Sequence, residues 1–132
     1  MLHEKQIEIR WRDVDAYRHV NNAVYATYLE ECRDEWIEAV LGRQAALWDF
    51  VLARVAIDFR RELRQEDDTV TVRIGLVRIG RSSVTTREEI FTSEGGLSAE
   101  AEAVLVARDP ESGRSRPLLE AEREAFERAL QA

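Results

Sequence analysis

One long amphipathic helical stretch, followed by four alternating stretches, restricts this chain to few folds. Over residues 23–41, Val24/Tyr25, Tyr28/Leu29, Cys32, Trp36 and Val40 recur at helical spacing, and Glu30, Arg33, Asp34 and Glu38 fall largely between them. Asn21 or Asn22 suits the N-cap and Gly42 the stop. Before this helix, residues 6–12 alternate, with Ile7, Ile9 and Trp11 on one face of a strand. After it, residues 43–50 are ambiguous, a short helical turn being one reading. Strand patterns then follow at 53–62 (Val55, Ile57, Phe59 inward), 69–79 (Val70, Val72, Ile74, Leu76), 83–91 and 98–108 (Ala99, Ala101, Ala103, Leu105). The breaks at 65–68, 80–81 and 93–96 are short and polar or glycine-bearing, as hairpins prefer. Residues 109–113 form a turn signal, and Pro117 opens a last helix to about Leu130, with Leu119, Phe126 and Leu130 inward. This order predicts one α+β domain over residues 1–132, built on an antiparallel sheet. Val77, Ile79, Val104 and Val106 make the second sheet face partly apolar, so a homo-oligomer, dimer or tetramer, is expected to cover it.

Charge and cysteine content narrow the chemistry. A formal net charge of −7 argues against general binding to nucleic acid or to membrane surfaces. A polyanionic small ligand would need a local arginine patch. The single cysteine rules out an internal disulfide, and with only two histidines, His3 and His19, no metal site is expected. No apolar leader and no run of ~18 apolar residues is visible, so a cytoplasmic protein is expected. Cys32 lies on the apolar stripe away from the helix start, which marks it as core rather than nucleophile.

The chemistry concentrates where the first strand meets the helix. Asp13-Val-Asp15-Ala-Tyr-Arg-His19-Val-Asn21-Asn22 sets two carboxylates, an imidazole and two carboxamides beside a helix start. A carboxylate there is stabilised as an anion and can attack an acyl carbon or take a proton from water. The first-turn N–H groups could polarise the acyl oxygen. Aspartate and asparagine before a helix are also ordinary caps and turn formers, so residue types alone leave both readings open.

The spacing D-x-D-x-x-x-H-V-N-N-x-x-Y, from Asp13 to Tyr25, resembles the signature of hotdog-fold thioesterases, namely the 4-hydroxybenzoyl-CoA thioesterase-like family and the acyl-ACP thioesterases. The stretches 57–62 and 76–84 resemble the strand after the long helix and the next hairpin of that family. The resemblance implies an antiparallel sheet wrapped around a long central helix, and hydrolysis of an acyl-CoA or acyl-ACP thioester without a cofactor. By position, it implies that Asp15 is the reacting carboxylate, as nucleophile or general base, and that the backbone of Asn22 is the oxyanion donor. His19 matches a histidine that assists in the acyl-ACP branch. Tyr17 stands where that branch has an asparagine, a departure. Glu62 matches an acidic position of the same branch or is a charged edge residue. Asp13 either orients the loop and acts on Asp15, or only forms the turn.

Arg81, with Ser82 and Ser83 beside it, matches a hairpin position that meets the coenzyme A nucleotide, and Arg60 and Arg61 are further candidates. The resemblance also implies a site at a dimer interface. Two other readings compete: a hotdog dehydratase or hydratase, and a non-catalytic protein that binds acyl thioesters.

Overall fold

A computed structural model describes residues 2–42 and 49–131. Its elements are β1 (His3–Glu8), α1 (Asn22–Leu41), β2 (Phe50–Phe59), β3 (Thr69–Ile79), β4 (Ser83–Thr92), β5 (Leu97–Ala107) and α2 (Glu120–Gln131). The five strands form one sheet in the order β1-β3-β4-β5-β2, antiparallel at every pairing. Helix α1 lies across the inner face against β1, β3 and β4, and α2 packs on β3 and on α1. This is the α+β arrangement of a sheet wrapped on one long helix.

The helix starts where its sequence says. The Asn21 side chain accepts the Ala23 N–H at 2.9 Å, and Gly42 ends the helix at φ 83°, where a β-carbon would be unfavourable. Tyr25, Tyr28, Leu29, Cys32 and Trp36 face inward onto Val70, Val72, Ile74 and Ile90, all buried. Each such aliphatic side chain contributes about 1.5–3 kcal/mol on burial.

Four details depart from the sequence-based expectation. Trp11 is 79% exposed, because the chain leaves β1 after Glu8 and turns through a single 3-10 turn at Trp11–Asp13. The break at 65–68 is not a hairpin. Strand β2 pairs with β5 at the far edge, and the chain crosses beneath the start of α1 to reach β3. Arg33, expected among the solvated positions, is buried because Glu88 on the inner face of β4 receives it. Helix α2 begins only at Glu120, and it buries Ala125, Phe126 and Ala129, with Leu118 just ahead of it, while Leu119 and Leu130 stay exposed. Of the ambiguous stretch 43–50, residues 43–48 lie outside the described residues, and Phe50 already belongs to β2.

Strand β2 leaves one edge of the sheet open. Leu52, Val55 and Phe59 are paired with buried Leu105, Ala103 and Ala99 on the inner face, yet are 44%, 37% and 47% exposed. Helix α1 meets this row only at its start, where the Tyr25 ring touches Phe59. On the outer face Val77 is exposed, and Val104 and Val106 are half-buried.

Candidate active site

Residues 13–21 fold into a small hairpin just ahead of α1. Val14 and Val20 pair as an isolated bridge, and the Asn21 N–H donates to the Asp13 carbonyl at 3.0 Å. The Asp15 N–H donates to the His19 carbonyl and the Arg18 N–H to the Asp15 carbonyl, both at 2.9 Å. Arg18 sits at φ 68°. Three loop residues closed by a left-handed third position are a common hairpin geometry. Its consequence is chemical: Asp15 and His19 become directly opposed, with β-carbons about 4.5–5.5 Å apart in such pairs.

Each member then finds a distinct partner. One Asp15 oxygen accepts the Tyr17 N–H at 2.9 Å, so the carboxylate is oriented by its own loop. His19 Nε2 lies 2.9 Å from a Glu62 oxygen, and the other Glu62 oxygen accepts two N–H groups of Arg64. That contact with Arg64, together with the nearby His19, holds the Glu62 carboxyl below its ordinary value. The Val20 N–H donates to the Leu63 carbonyl at 2.8 Å, which ties the hairpin to the crossing chain that carries Glu62. At the helix start, Ala23 and Val24 both donate to Asn21, while the Asn22 N–H has no acceptor among the described residues. It is an uncommitted donor of the first turn.

Two concavities flank this hairpin. One, about 210 Å³, is lined by His19, Asn22, Tyr25, Phe59, Arg60, Arg61 and Glu62, among others. The Tyr25 and Phe59 rings meet edge to face at 5.0 Å, and the Tyr25 hydroxyl accepts the Leu63 N–H. The other, about 490 Å³, opens beside Asp15 between Trp11, Arg18 and Glu66. The structure therefore gathers Asp15, His19, Asn22, Glu62, Arg60 and Arg61 around one end of the sheet.

Asp13 is placed differently. Its carboxylate is buried and accepts the Tyr28 hydroxyl at 2.7 Å and the Arg10 N–H at 2.9 Å. Burial and the neighbouring carboxylate push the Tyr28 phenol far above its ordinary value, so it stays a donor. Asp13 thus pins the hairpin to α1 and lines neither concavity. Arg81, Ser82 and Ser83 lie where β3 turns into β4, at the opposite end of the sheet. At about 3.3 Å per residue, the length of β3 separates them from the hairpin by roughly 30 Å.

Cys32 is fully buried, 3.7 Å from the Val72 carbonyl, and burial pushes its thiol up to about 12. Among the described residues, no group of three or more His, Cys, Asp or Glu could hold a metal ion, and no helix is long and apolar enough to cross a membrane. Trp11, Arg18 and Phe59 are lining residues that sequence reasoning did not single out as ligand contacts. The signal for Arg18 is the need for a left-handed residue three positions after Asp15, which spacing alone does not mark.

Comparisons with known proteins point the same way. Residues 9–126 match the family described as Thioesterase-like superfamily. The long-chain acyl-CoA thioesterase FadM of Escherichia coli (strain K12) is 29% identical over 113 residues, covering 80% of this chain and 83% of FadM. A Thermus thermophilus thioesterase, solved with coenzyme A and zinc, is 31% identical with a TM-score of 0.88, covering 98% of this chain and 95% of that one. A predicted thioesterase from Bacillus stearothermophilus is 25% identical with a TM-score of 0.90, covering 98% and 97%.

Proposed function

This chain belongs to the thioesterase-like superfamily, and we propose that it hydrolyses acyl-coenzyme A thioesters with Asp15 as the reacting carboxylate. The observation that carries this reading is the hairpin that opposes Asp15 to His19 next to the unpaired Asn22 N–H.

In the general-base route, Asp15 takes a proton from water as the water oxygen bonds to the acyl carbon. The carbonyl oxygen becomes an oxyanion, which the Asn22 N–H stabilises. The carbon–sulfur bond then breaks, and the thiolate recovers the proton from Asp15. In the nucleophilic route, Asp15 itself bonds to the acyl carbon, the thiolate leaves, and water cleaves the resulting anhydride. Glu62 acts as a positioning residue that fixes the His19 ring, and His19 polarises the thioester or the water. Asp13 acts through Tyr28, by holding the hairpin on α1.

The substrate is anionic, and Arg60 and Arg61 supply cations in a chain whose net charge is −7. The separation of Arg81 from the hairpin has a simple resolution in a homodimer. Strand β2 is an open edge with an uncovered apolar row, Leu52, Val55 and Phe59. Two copies joined antiparallel through β2 would cover that row. They would also bring Arg81, Ser82 and Ser83 of the partner subunit to the sheet end that holds Asp15. At about 4.8 Å per strand, the three spacings from β2 to β4 of the partner subunit amount to about 14 Å, which sets that hairpin on the side of Arg60 and Glu62. FadM's name makes long acyl chains the first to try.

The test is Asp15→Asn. Hydrolysis across a panel of acyl chain lengths, on coenzyme A and on acyl carrier protein, should fall by roughly 10²–10⁴-fold. Circular dichroism and oligomer size should not change. Wild-type turnover in this variant sinks the mechanism. Single turnover in ¹⁸O-water separates the routes, since only the anhydride route leaves label in Asp15. Mixing Asp15→Asn with Arg81→Ala subunits should restore about a quarter of wild-type activity, because each mixed dimer holds one intact site.

A further inference from the structure

We propose that Arg18 is a substrate-binding residue that receives an anionic group of the thioester in the cleft beside Asp15; this rests on the assignment of Asp15 above. Three observations converge on it. First, Arg18 occupies the left-handed region at φ 68°, where an L side chain is strained and glycine is not. Strain held by an otherwise replaceable residue points to a use for its side chain. Second, its guanidinium has no ion-pair or hydrogen-bond partner among the described residues, whereas Arg10, Arg33, Arg64, Arg73 and Arg116 are all paired with carboxylates. An arginine left unpaired in a cleft that also holds the carboxylates of Asp15 and Glu66 is free to meet a ligand. Third, Arg18 lines the larger cleft together with Asp15.

The charges of that cleft explain what Arg18 does. Asp15 and Glu66 both line it, so without Arg18 it would repel an anionic ester. Trp11, Val14 and Ala16 give the same cleft an apolar wall. A guanidinium here can donate in bidentate fashion to a carboxylate or a phosphate. Two sources offer that chemistry: the phosphates of the nucleotide, with the pantetheine arm folded back, or a carboxylate carried on the acyl chain.

Arg18→Gly and Arg18→Asn test this, because a turn role and a binding role move in opposite directions. Both replacements tolerate the left-handed region, so thermal midpoints should be unchanged or rise by a few degrees. At the same time kcat/KM for the anionic ester should fall by roughly 10- to 100-fold, with most of the change in KM. Arg18→Lys keeps the charge but not the bidentate fork, and should fall between the wild-type protein and Arg18→Gly. Decanoyl-CoA, decanoyl-pantetheine and an ω-carboxydecanoyl-CoA distinguish the sources. Loss on both coenzyme A esters but not on decanoyl-pantetheine assigns the phosphates, and loss confined to the ω-carboxy ester assigns the acyl carboxylate.

Unchanged kinetics on all three esters, or equal loss on decanoyl-pantetheine, would overturn the proposal. Titrating a non-hydrolysable thioether analogue of decanoyl-CoA, and its ω-carboxy counterpart, into Asp15→Asn protein with and without the Arg18 change reads binding apart from chemistry. A failure of the Asp15 mechanism would leave that measurement intact.

Discussion

Two carboxylates of this protein meet a nitrogen partner at similar distances in opposite surroundings. Glu88 and Arg33 meet in the core, at 2.9 and 2.7 Å, with Thr86 donating a third hydrogen bond at 2.7 Å. Their side chains are 1% and 6% exposed. Glu62 and His19 meet at 2.9 Å, with side chains 44% and 41% exposed. The first pair has no water to fall back on, so both charges must stay matched for the fold to persist. The second can open at little cost, because water and Arg64 remain to solvate Glu62. The exposed pair lies at the sheet end of the proposed site, and the closed pair ties α1 to β4.

The contrast breaks most sharply at Glu88. Glu88→Ala leaves Arg33 buried and unmatched, and should cost about 3–5 kcal/mol of unfolding free energy in denaturant titrations. Replacing both partners together, Arg33→Met with Glu88→Leu, should recover most of that loss. If the single variant costs no more than a surface change, the core pair does not play the part given to it.

Glu62→Gln should do the reverse. Its cost in stability should be small beside that of Glu88→Ala, while kcat/KM for an acyl-CoA should drop by roughly tenfold or more. A stability loss as large as that of Glu88→Ala would erase the distinction between the two pairs.

Glu122 lies between these extremes. Burial pushes its carboxyl up, but the Arg116 guanidinium and the Leu119 N–H more than reverse this, and it ends below the ordinary 4.5. A carboxyl whose value is depressed by folding adds stability above its unfolded value and loses it as pH falls through the folded one. Thermal midpoints of the wild-type protein should therefore drop more steeply below about pH 4.5 than those of Glu122→Gln. Parallel curves would remove Glu122 from the account.

The smallest effect is expected at Cys32, whose thiol burial pushes up to about 12. Cys32→Ala should leave kcat unchanged, and the native thiol should resist disulfide reagents near pH 8 that label it in denaturant.

The sequence made the periodic parts of the fold plain and the exceptions obscure. The bounds of β3 and α1 followed from alternation, from the Asn21 cap and from Gly42, because those signals are local. The pairing of β2 with β5 is a matter of which strands become neighbours, and no local pattern encodes it. Arg33 read as a solvated position because period alone cannot know that it will meet Glu88. At the site, Asp15, His19 and Asn22 were legible as a motif, and their spacing carried the geometry of the hairpin with it. Asp13 and Arg18 were not resolved. The partners that define them, Tyr28 and a left-handed backbone angle, appear only once the chain is folded.

The three-residue loop between Asp15 and His19 divides what can vary from what cannot. One residue more or fewer would turn His19 to the other side of the hairpin and away from Asp15. The length of the segment is therefore fixed by the chemistry, while the side chains at 16–18 project from it without setting its register. New preferences can be written at 16 and 17, as interchangeable letters, and at 18 among residues that tolerate the left-handed region, without disturbing the Asp15–His19 pair that frames them.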